Sequence, residues 1–332
     1  MHTRGRKERR PARLCLALAL ALAVTPCLAA GQPVDQELAR LANMSLEELM
    51  RTEVTTVAGT PRPRIATPAA LTVITAEDIR RSGHRDIVEA LRLVPGMYVG
   101  RINSSSWVAG ARGLTGSSLT SSRYLVLVDG RLVYDPLLSI TFWDTVDVPL
   151  PDVDRIEVIR GPGATLWGVN AMNGVINIVT RRAADTQGSL LQAEAGNHDE
   201  AALLLRHGAT TGTGTAWRTW AKYERHGHFE GADGLPLVDQ WSTLRGGFRV
   251  DGQLAPDVRY TLQGDAYTHP RAMESVLLPV PGVHQQSVRV TRDDRVDGAN
   301  LLFRASSGFE GERGWMLRAY ADHTHRDSSR FA

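Results

Sequence analysis

The sequence predicts a compact α+β domain over residues 71–181, followed by antiparallel transmembrane β-strands over residues 187–332. In the first region, short segments with helix-capping residues alternate with short apolar strands. In the second region, apolar and charged residues alternate with a period of two, as expected of strands with one apolar and one polar face. After residue 31, no segment has the roughly 18 consecutive apolar residues that a membrane-spanning helix requires.

Residues 1–30 have the composition of a signal peptide. Basic residues are concentrated near the N-terminus, and the apolar run Leu14–Val24 follows them. Small residues around Ala30 then form a cleavage site. The apolar run is about half the length of a membrane-spanning helix. We therefore predict that the chain is exported through a cleaved signal peptide.

The charge and the cysteines exclude several classes of protein. The formal charge of +2 comes from the basic signal peptide, and no basic face indicates a nucleic-acid partner. Cys15 and Cys27, the two cysteines of the chain, both lie within the predicted signal peptide. No disulfide, thiolate metal site or cysteine nucleophile is therefore expected after cleavage. Lipid attachment at Cys27 is the alternative, which the preceding Pro26 disfavours.

Residues 31–70 form an N-terminal extension with one segment that stands out. Glu53–Val57 contains strand-forming residues, and several prolines follow it. Because proline lacks a backbone N–H and disfavours both helix and central strand, this segment is expected to be extended. Such a segment can add as a strand to the exposed sheet edge of a partner. The alternative is an ordinary linker.

The α+β domain is expected to begin with a strand at Leu71–Ile74. A short helix then starts at the capping box Thr75–Asp78 and ends at Gly83. Asp86 is expected to cap a second helix that continues through Leu93. The remaining strands are predicted at Met97–Arg101, Trp107–Arg112, Tyr124–Val128, Arg131–Tyr134, Arg155–Arg160 and Val175–Thr180.

Residues 187–332 contain about seven candidate strands. Arginines and carboxylates recur on the polar face of these strands, while the other face is apolar. An apolar outer face and a polar inner face are typical of a membrane barrel with an aqueous lumen. A soluble β-sandwich, whose strands also alternate, is the alternative.

Five motifs between residues 72 and 180 carry a resemblance to TonB-dependent outer-membrane receptors. The segment RIEVIRGPGATLWG at 155–168, continued by NGVINIVT at 173–180, resembles the end of the plug domain of these receptors. TVITAEDI at 72–79 and DIVEALRLVPG at 86–96 resemble its opening, and ARG at 111–113 and LVLVDGR at 125–131 match its middle. By this resemblance, residues 71–181 are a plug domain and residues 187–332 are the first part of a barrel.

The resemblance also implies a location, partners and a mode of action. Such a receptor lies in the outer membrane of a Gram-negative bacterium, in contact with lipid, and is expected to be a monomer. It takes up a scarce nutrient, with a ferric siderophore as the first candidate and cobalamin as the second. The inner-membrane protein TonB would pull on the segment before the plug, here Glu53, Val54, Thr55, Thr56 and Val57. A barrel of this family has 22 strands. About seven are expected here, so the sequence is expected to be a truncated or partial receptor.

Two sets of site residues are carried over from the family. Residues expected to hold the plug against the barrel wall are Arg112, Arg123, Arg131, Glu157 and Arg160. Residues expected to face the substrate from plug loops are Asn103, Ser104, Ser105, Trp107, Ser117, Ser118, Phe142 and Trp143. For Phe142 and Trp143, packing into the plug core is the alternative.

Other kinds of site find little support in the sequence. The loop Gly161–Gly163 lacks the spacing of a nucleotide-binding loop, and Pro162 removes a backbone donor. His226 and His228 are expected in a surface loop, although H-x-H residues on a strand share a face, as His323 and His325 would. We therefore expect no metal, no cofactor and no enzymatic activity. The remaining alternatives are a secreted adhesin or carbohydrate-binding protein and an exported hydrolase.

Overall fold

The computed structural model describes most of the chain after residue 70, together with two short segments before it. The described residues are 53–54, 62–63, 70–111, 124–133, 135, 140–161, 171, 173–231, 234–279, 287–307 and 314–328. The predicted signal peptide lies outside them. Within these ranges, no helix is both long enough and apolar enough to cross a membrane.

The α+β domain contains two short helices and a five-stranded sheet. The helices are α1 (Ala76–Ser82) and α2 (Ile87–Ala90), and a 3₁₀ turn at Leu91–Leu93 follows α2. The sheet has the order β3-β8-β9-β6-β7, with β6 and β9 parallel and the other pairs antiparallel. The strand bounds are β3 Ala70–Thr75, β6 Tyr124–Val128, β7 Arg131–Leu132, β8 Val153–Arg160 and β9 Gly174–Thr180.

Two smaller strand pairs lie outside this sheet. β4 (Met97–Arg101) and β5 (Trp107–Ala111) form an antiparallel hairpin. β1 (Glu53–Val54) and β2 (Arg62–Pro63) form a two-residue antiparallel ladder.

The N-cap residues of α1 and α2 differ in the hydrogen bonds that their side chains make. The Thr75 side chain accepts a hydrogen bond from the Asp78 backbone N–H at 3.1 Å, and the Asp78 carboxylate accepts one from the Thr75 N–H at 2.9 Å. The expected capping box is therefore present. Asp86 occupies the N-cap of α2, but its side chain makes no cap hydrogen bond. The second helix is α-helical over Ile87–Ala90 and continues to Leu93 as a 3₁₀ turn rather than as α-helix.

The domain buries apolar side chains on both sides of its central strands. Along β6, Tyr124, Val126 and Val128 belong to the main core, which also contains both helices. Leu125 and Leu127 face a smaller apolar cluster on the other side of the sheet. Burying each aliphatic side chain contributes about 1.5–3 kcal/mol, so this core accounts for much of the stability of the domain.

A seven-stranded antiparallel meander follows the α+β domain, in the order β10-β11-β12-β13-β14-β15-β16. A 3₁₀ turn at Ala183–Thr186 leads into it. The bounds are β10 Gly188–Ala195, β11 Asp199–Thr210, β12 Ala216–His226, β13 Trp241–Ala255, β14 Val258–Pro279, β15 Ser287–Ser307 and β16 Trp315–Ser328. Residues 227–231 and 234–240 lie at one end of this sheet, called here the long-loop end, and the tight turn 256–257 lies at the other.

The two faces of the seven-stranded sheet differ in polarity. Exposed apolar side chains on one face include Leu203, Leu205 and Tyr223. The opposite face carries Arg218, Lys222, Glu224, Arg245 and Arg249, which are all buried against the α+β domain. A soluble sandwich buries its apolar faces, so that alternative is wrong. The observed polarity is that of barrel strands.

Candidate functional site

The contact between the α+β domain and the sheet is built from buried ion pairs. Four aspartates of the domain lie in the turns and loops between its strands, and each faces a basic side chain of the sheet. The pairs are Asp129 with Arg249, Asp144 with Arg326, Asp147 with Lys222, and Asp152 with both Arg206 and Arg218.

Asp152 is the most deeply buried of these carboxylates, with 1% of its side chain exposed. It ends the 3₁₀ turn Leu150–Asp152, just before β8. One oxygen accepts a hydrogen bond from Arg206, and the other lies 3.3 Å from Nε of Arg218. Arg218 also donates to the Arg181 carbonyl oxygen at 2.8 Å. The two strands β11 and β12 are thus tied to the start of β8.

Asp129 links the β6–β7 turn to two strands of the sheet. It is the one described non-glycine residue with positive φ, at 50°. Its carboxylate accepts hydrogen bonds from the Thr180 hydroxyl at 2.6 Å and from Gln263 at 2.7 Å, and it lies 3.7 Å from Arg249. Burial alone would raise the pKa of Asp129, but Arg249 and these hydrogen bonds outweigh burial and lower the pKa. Asp129 is therefore a carboxylate at neutral pH.

Asp147 makes a comparable contact near the centre of the interface. Lys222 lies 2.8 Å from its carboxylate and 2.9 Å from the carboxylate of Glu224. Arg245 donates to the backbone oxygens of Asp147 and Thr145, at 3.1 and 2.7 Å. Burial again raises the pKa of Asp147, and Lys222 and Arg245 more than reverse that effect.

At the long-loop end, the β4–β5 turn is bonded to the loop between β12 and β13. The Asn103 side chain accepts hydrogen bonds from the backbone N–H groups of Ser105 and Ser106, which shapes the turn. Ser104 then donates to Asp239 and to the Gly227 carbonyl oxygen, both at 2.8 Å. The indole of Trp241 donates to the Ser104 carbonyl oxygen, also at 2.8 Å. This turn is therefore anchored by two hydrogen bonds to the loop between β12 and β13 and by a third to the first residue of β13.

Of the residues expected at the plug–barrel contact, one is paired with the sheet. Arg131 forms an ion pair with Asp322 on β16. Glu157 is fully buried and accepts a hydrogen bond from Arg155 at 2.8 Å, within its own strand. Arg160 donates to the Pro95 carbonyl oxygen at 2.5 Å, inside the α+β domain. Arg112 and Arg123 lie outside the described residues, and the role of the set stays a prediction.

The expected substrate-facing residues are largely packed against protein. Asn103 and Ser104 are buried beneath loop 227–240. Trp107 lies under the Arg101 guanidinium, 4.2 Å from the ring centroid. Phe142 is covered by Arg326 at 4.3 Å, and Trp143 belongs to the main core.

The remaining substrate-facing residues and the predicted TonB-binding segment are only partly described by the structure. Ser105 is half-buried in the β4–β5 turn, and Ser117 and Ser118 lie outside the described residues. Glu53 and Val54 form β1, whereas Thr55, Thr56 and Val57 also lie outside them. The substrate contacts and the TonB-binding role therefore stay predictions.

One histidine near the long-loop end differs from expectation, whereas His228 is exposed in the loop after β12, as predicted. His226 is the last residue of β12 rather than part of a surface loop, and it is buried. Its ring is stacked on Trp241 with a centroid distance of 4.3 Å, and its Nδ1 lies 2.8 Å from Asp199. The described part of the chain contains no group of three potential ligands arranged to hold a metal ion.

Sequence reasoning missed the aspartates that make most of the contact. It placed the charged contacts on arginines and one glutamate of the plug motifs, whereas the domain mainly contributes acids and the strands contribute bases. A usable signal was present in the strands. Arg218, Lys222, Arg245 and Arg249 recur at even spacing on one face, and a buried basic face requires acidic partners. The interface can thus hold two bodies together by contacts that water can replace.

Comparison with known proteins identifies a family match for the α+β domain. The family described as TonB-dependent Receptor Plug Domain matches residues 63–175. The vitamin B12 transporter BtuB of Vibrio vulnificus is 28% identical over 191 residues, which cover 56% of this chain and 29% of the transporter. The ferric enterobactin receptor of Pseudomonas aeruginosa is 34% identical over 145 residues, covering 41% of this chain and 19% of the receptor.

A solved structure has the same fold. The outer-membrane ferripyoverdine receptor of Pseudomonas aeruginosa, bound to ferripyoverdine, superposes with a TM-score of 0.57 at 15% identity. The superposition covers 83% of this chain and 45% of that receptor. The chain thus spans less than half the length of each of these three proteins. Residues 63–175 therefore match the plug domain of TonB-dependent receptors, and the chain as a whole has the fold of the ferripyoverdine receptor.

Proposed function

We propose that this chain is the plug and the adjoining barrel strands of an outer-membrane receptor that imports a ferric siderophore. The observation that carries this proposal is the charged contact between the plug and the sheet, such as Asp152 with Arg206 and Arg218. A plug that must move within a lumen needs contacts that water can replace, because charged groups are rehydrated when they separate. An exposed apolar outer face, which includes Leu203 and Leu205, suits a lipid environment.

The choice of substrate rests on the relatives. Two of the three compared proteins are named for iron complexes, the ferric enterobactin receptor and the ferripyoverdine receptor. The third is named for vitamin B12, so cobalamin is the second candidate. A growth assay separates the two. A host that lacks its own receptors and expresses the whole receptor that contains this chain would be given iron only as ferric enterobactin or ferric pyoverdine, or would be given cobalamin as its limiting nutrient.

Energy for uptake would come from TonB, bound at Glu53–Val57. The described part of this segment, Glu53–Val54, is already extended and pairs as a short strand with Arg62–Pro63. An extended segment of this kind can transfer its backbone hydrogen bonds to the sheet edge of a partner. The two-residue ladder is short enough to be exchanged for such a partner strand.

A substitution within the segment tests this step. Thr55→Pro removes a backbone N–H and should abolish growth on the transported nutrient, whereas the control Thr55→Ser should leave growth unchanged. Uptake that continues in a host without TonB would contradict the proposal. Recovery of the chain from the culture medium instead of the outer membrane would favour the secreted adhesin.

A further inference from the structure

A small cavity between the plug and the sheet has an unusual lining. Its volume is about 20 Å³, and a single water molecule needs roughly 10–15 Å³. Four carboxylic acids contribute to its wall, three from the plug and one from β12. They are Asp86, Asp144, Asp147 and Glu224.

Three polar atoms of the residues that line this cavity have no hydrogen-bond partner among the described residues. They are Nε1 of Trp143, Oδ2 of Asp147 and Oγ1 of Thr243. Trp143 and Thr243 are 6% and 2% exposed, so bulk water does not satisfy them. An unsatisfied buried polar atom destabilises the folded state, which makes a bound partner favourable.

The chemistry of these atoms identifies that partner. An indole N–H can only donate, a carboxylate oxygen can only accept, and a hydroxyl can do either. A metal cation would satisfy the Asp147 oxygen but would leave the Trp143 donor without an acceptor. A water molecule accepts from Trp143 and donates to Asp147, and it can bond Thr243 in either direction. The lining therefore fits water rather than a metal ion.

Asp86 gives this cavity a second property. Its half-buried side chain makes no cap bond to α2 and lines the cavity instead. The charged groups around it are Arg101 on β4, Asp144 and Asp147 before β8, Lys222, Glu224 and His226 on β12, and Arg245 on β13. Lys222 is shared between Asp147 and Glu224, and Arg326 bonds Asp144. Asp86 has no basic side chain within ion-pair distance among the described residues, so no counter-charge contacts it directly.

We propose that this cavity is a hydrated proton-binding site between the plug and strands β12 and β13, with Asp86 as the group that takes up the proton. The location of Asp86 in the cavity wall agrees with its electrostatic environment. Burial and the nearby Glu224 raise the pKa of Asp86 from 3.8 to about 7, against the opposing effects of His226, Lys222 and Arg101. The site depends only on the contact between plug and sheet, so it stands apart from any transported nutrient.

The sign of the pH effect follows from linkage. When plug and sheet are in contact, Asp86 holds its proton up to about pH 7, and when they separate its pKa returns toward 3.8. The separated state therefore binds fewer protons between these values. The contribution of Asp86 to the contact between plug and sheet is therefore greatest near pH 3.8, falls as the pH rises toward 7, and changes little above it.

Infrared difference spectroscopy on the full chain, titrated from acid to alkaline pH, tests the proton site. Asp86→Asn should remove one protonated-carboxyl band whose midpoint lies near pH 7, and the band should persist in the control Asp185→Asn. Asp185 is half-exposed and pairs with Arg182 away from the cavity. A band that survives Asp86→Asn, or an Asp86 band with its midpoint near 3.8, would overturn the proposal.

A second variant tests whether water is bound in the cavity. It also provides a test of the proposal if Asp86→Asn disturbs folding. Thr243→Val keeps every acid of the cavity but removes one hydrogen-bond partner of the water. Because the charged form of Asp86 then loses hydration, the midpoint of its band should move to higher pH. An unchanged midpoint would show that no water is bound there, and absence of any band near neutral pH would refute the proton site itself.

Discussion

The plug is held in two different ways, by its own apolar core and by a charged interface with the barrel strands. Ile156 and Ile176 in the core are fully buried, and Asp152 and Arg218 at the interface are nearly as inaccessible. The difference lies in what separation exposes. Opening the core exposes apolar surface to water, whereas opening the interface returns charges to water, which solvates them well. A region that must stay folded and a contact that must open are thus built from different chemistry.

The largest expected effect comes from leaving buried charge without its partner. Asp152→Asn keeps the shape of the side chain but removes the counter-charge of Arg206 and Arg218. The contact between plug and sheet should weaken by about 3–5 kcal/mol, while the plug itself stays folded. Spin labels at Glu89→Cys on α2 and Thr219→Cys on β12 would report the separation, because no other cysteine follows Cys27.

The matched control for this substitution is Asp154→Asn. Asp154 pairs with Arg155 but is 47% exposed, so its loss should leave the label distance unchanged. If Asp152→Asn and Asp154→Asn behave alike, the buried ion pairs do not hold the plug in place.

Truncating a side chain inside the core should destabilise the plug itself rather than its contact with the sheet. Ile156→Ala creates a cavity between the plug sheet and its helices and should lower the free energy of unfolding of the plug by about 2–5 kcal/mol. Protease digestion at increasing concentrations of denaturant would measure this free energy of unfolding. Ile102→Ala, at a site 45% exposed, is the control and should change little. A small effect of Ile156→Ala would mean that the interface, rather than the core, stabilises the domain.

A smaller effect should come from a change of one pH unit. In the Asp152→Asn background, the separated population seen by the two spin labels should rise by up to about ten-fold per pH unit while a single proton is released. The rise should end near pH 7, where Asp86 titrates. Adding Asp86→Asn should flatten this dependence. A pH dependence that survives Asp86→Asn would assign it to another group at the interface.

The smallest effect is expected for the pair between Arg131 and Asp322. Asp322 is 37% exposed, so water screens this contact. Arg131→Ala should weaken the attachment of the β6–β7 turn to β16 by less than about 1 kcal/mol. Hydrogen exchange of the Val128 and Leu132 amides would detect it, with Arg182→Ala as an exposed control. A loss as large as that of Asp152→Asn would remove the distinction between buried and exposed pairs.

Local features of the sequence were enough to predict both parts of the fold. The capping box at Thr75 starts α1, and Gly83, with φ of 70°, ends it. Alternation along residues 217–224 placed Arg218 and Lys222 on one face of β12, and the structure buries that face. These features depend on residues that are close together in the chain, so they can be predicted from local sequence patterns.

The partners across the interface were not predictable in this way. Asp152 and Arg206 are 54 positions apart, and Asp129 and Gln263 are 134 apart. Periodicity tells which face of a strand a side chain is on, but it does not tell what lies opposite that face. For the same reason, Asp86 looked like a helix cap and lines a cavity instead. The sequence by itself determined the elements, their faces and the family motifs, whereas only the packing of plug on sheet decided which acids meet which bases and where a proton can be held.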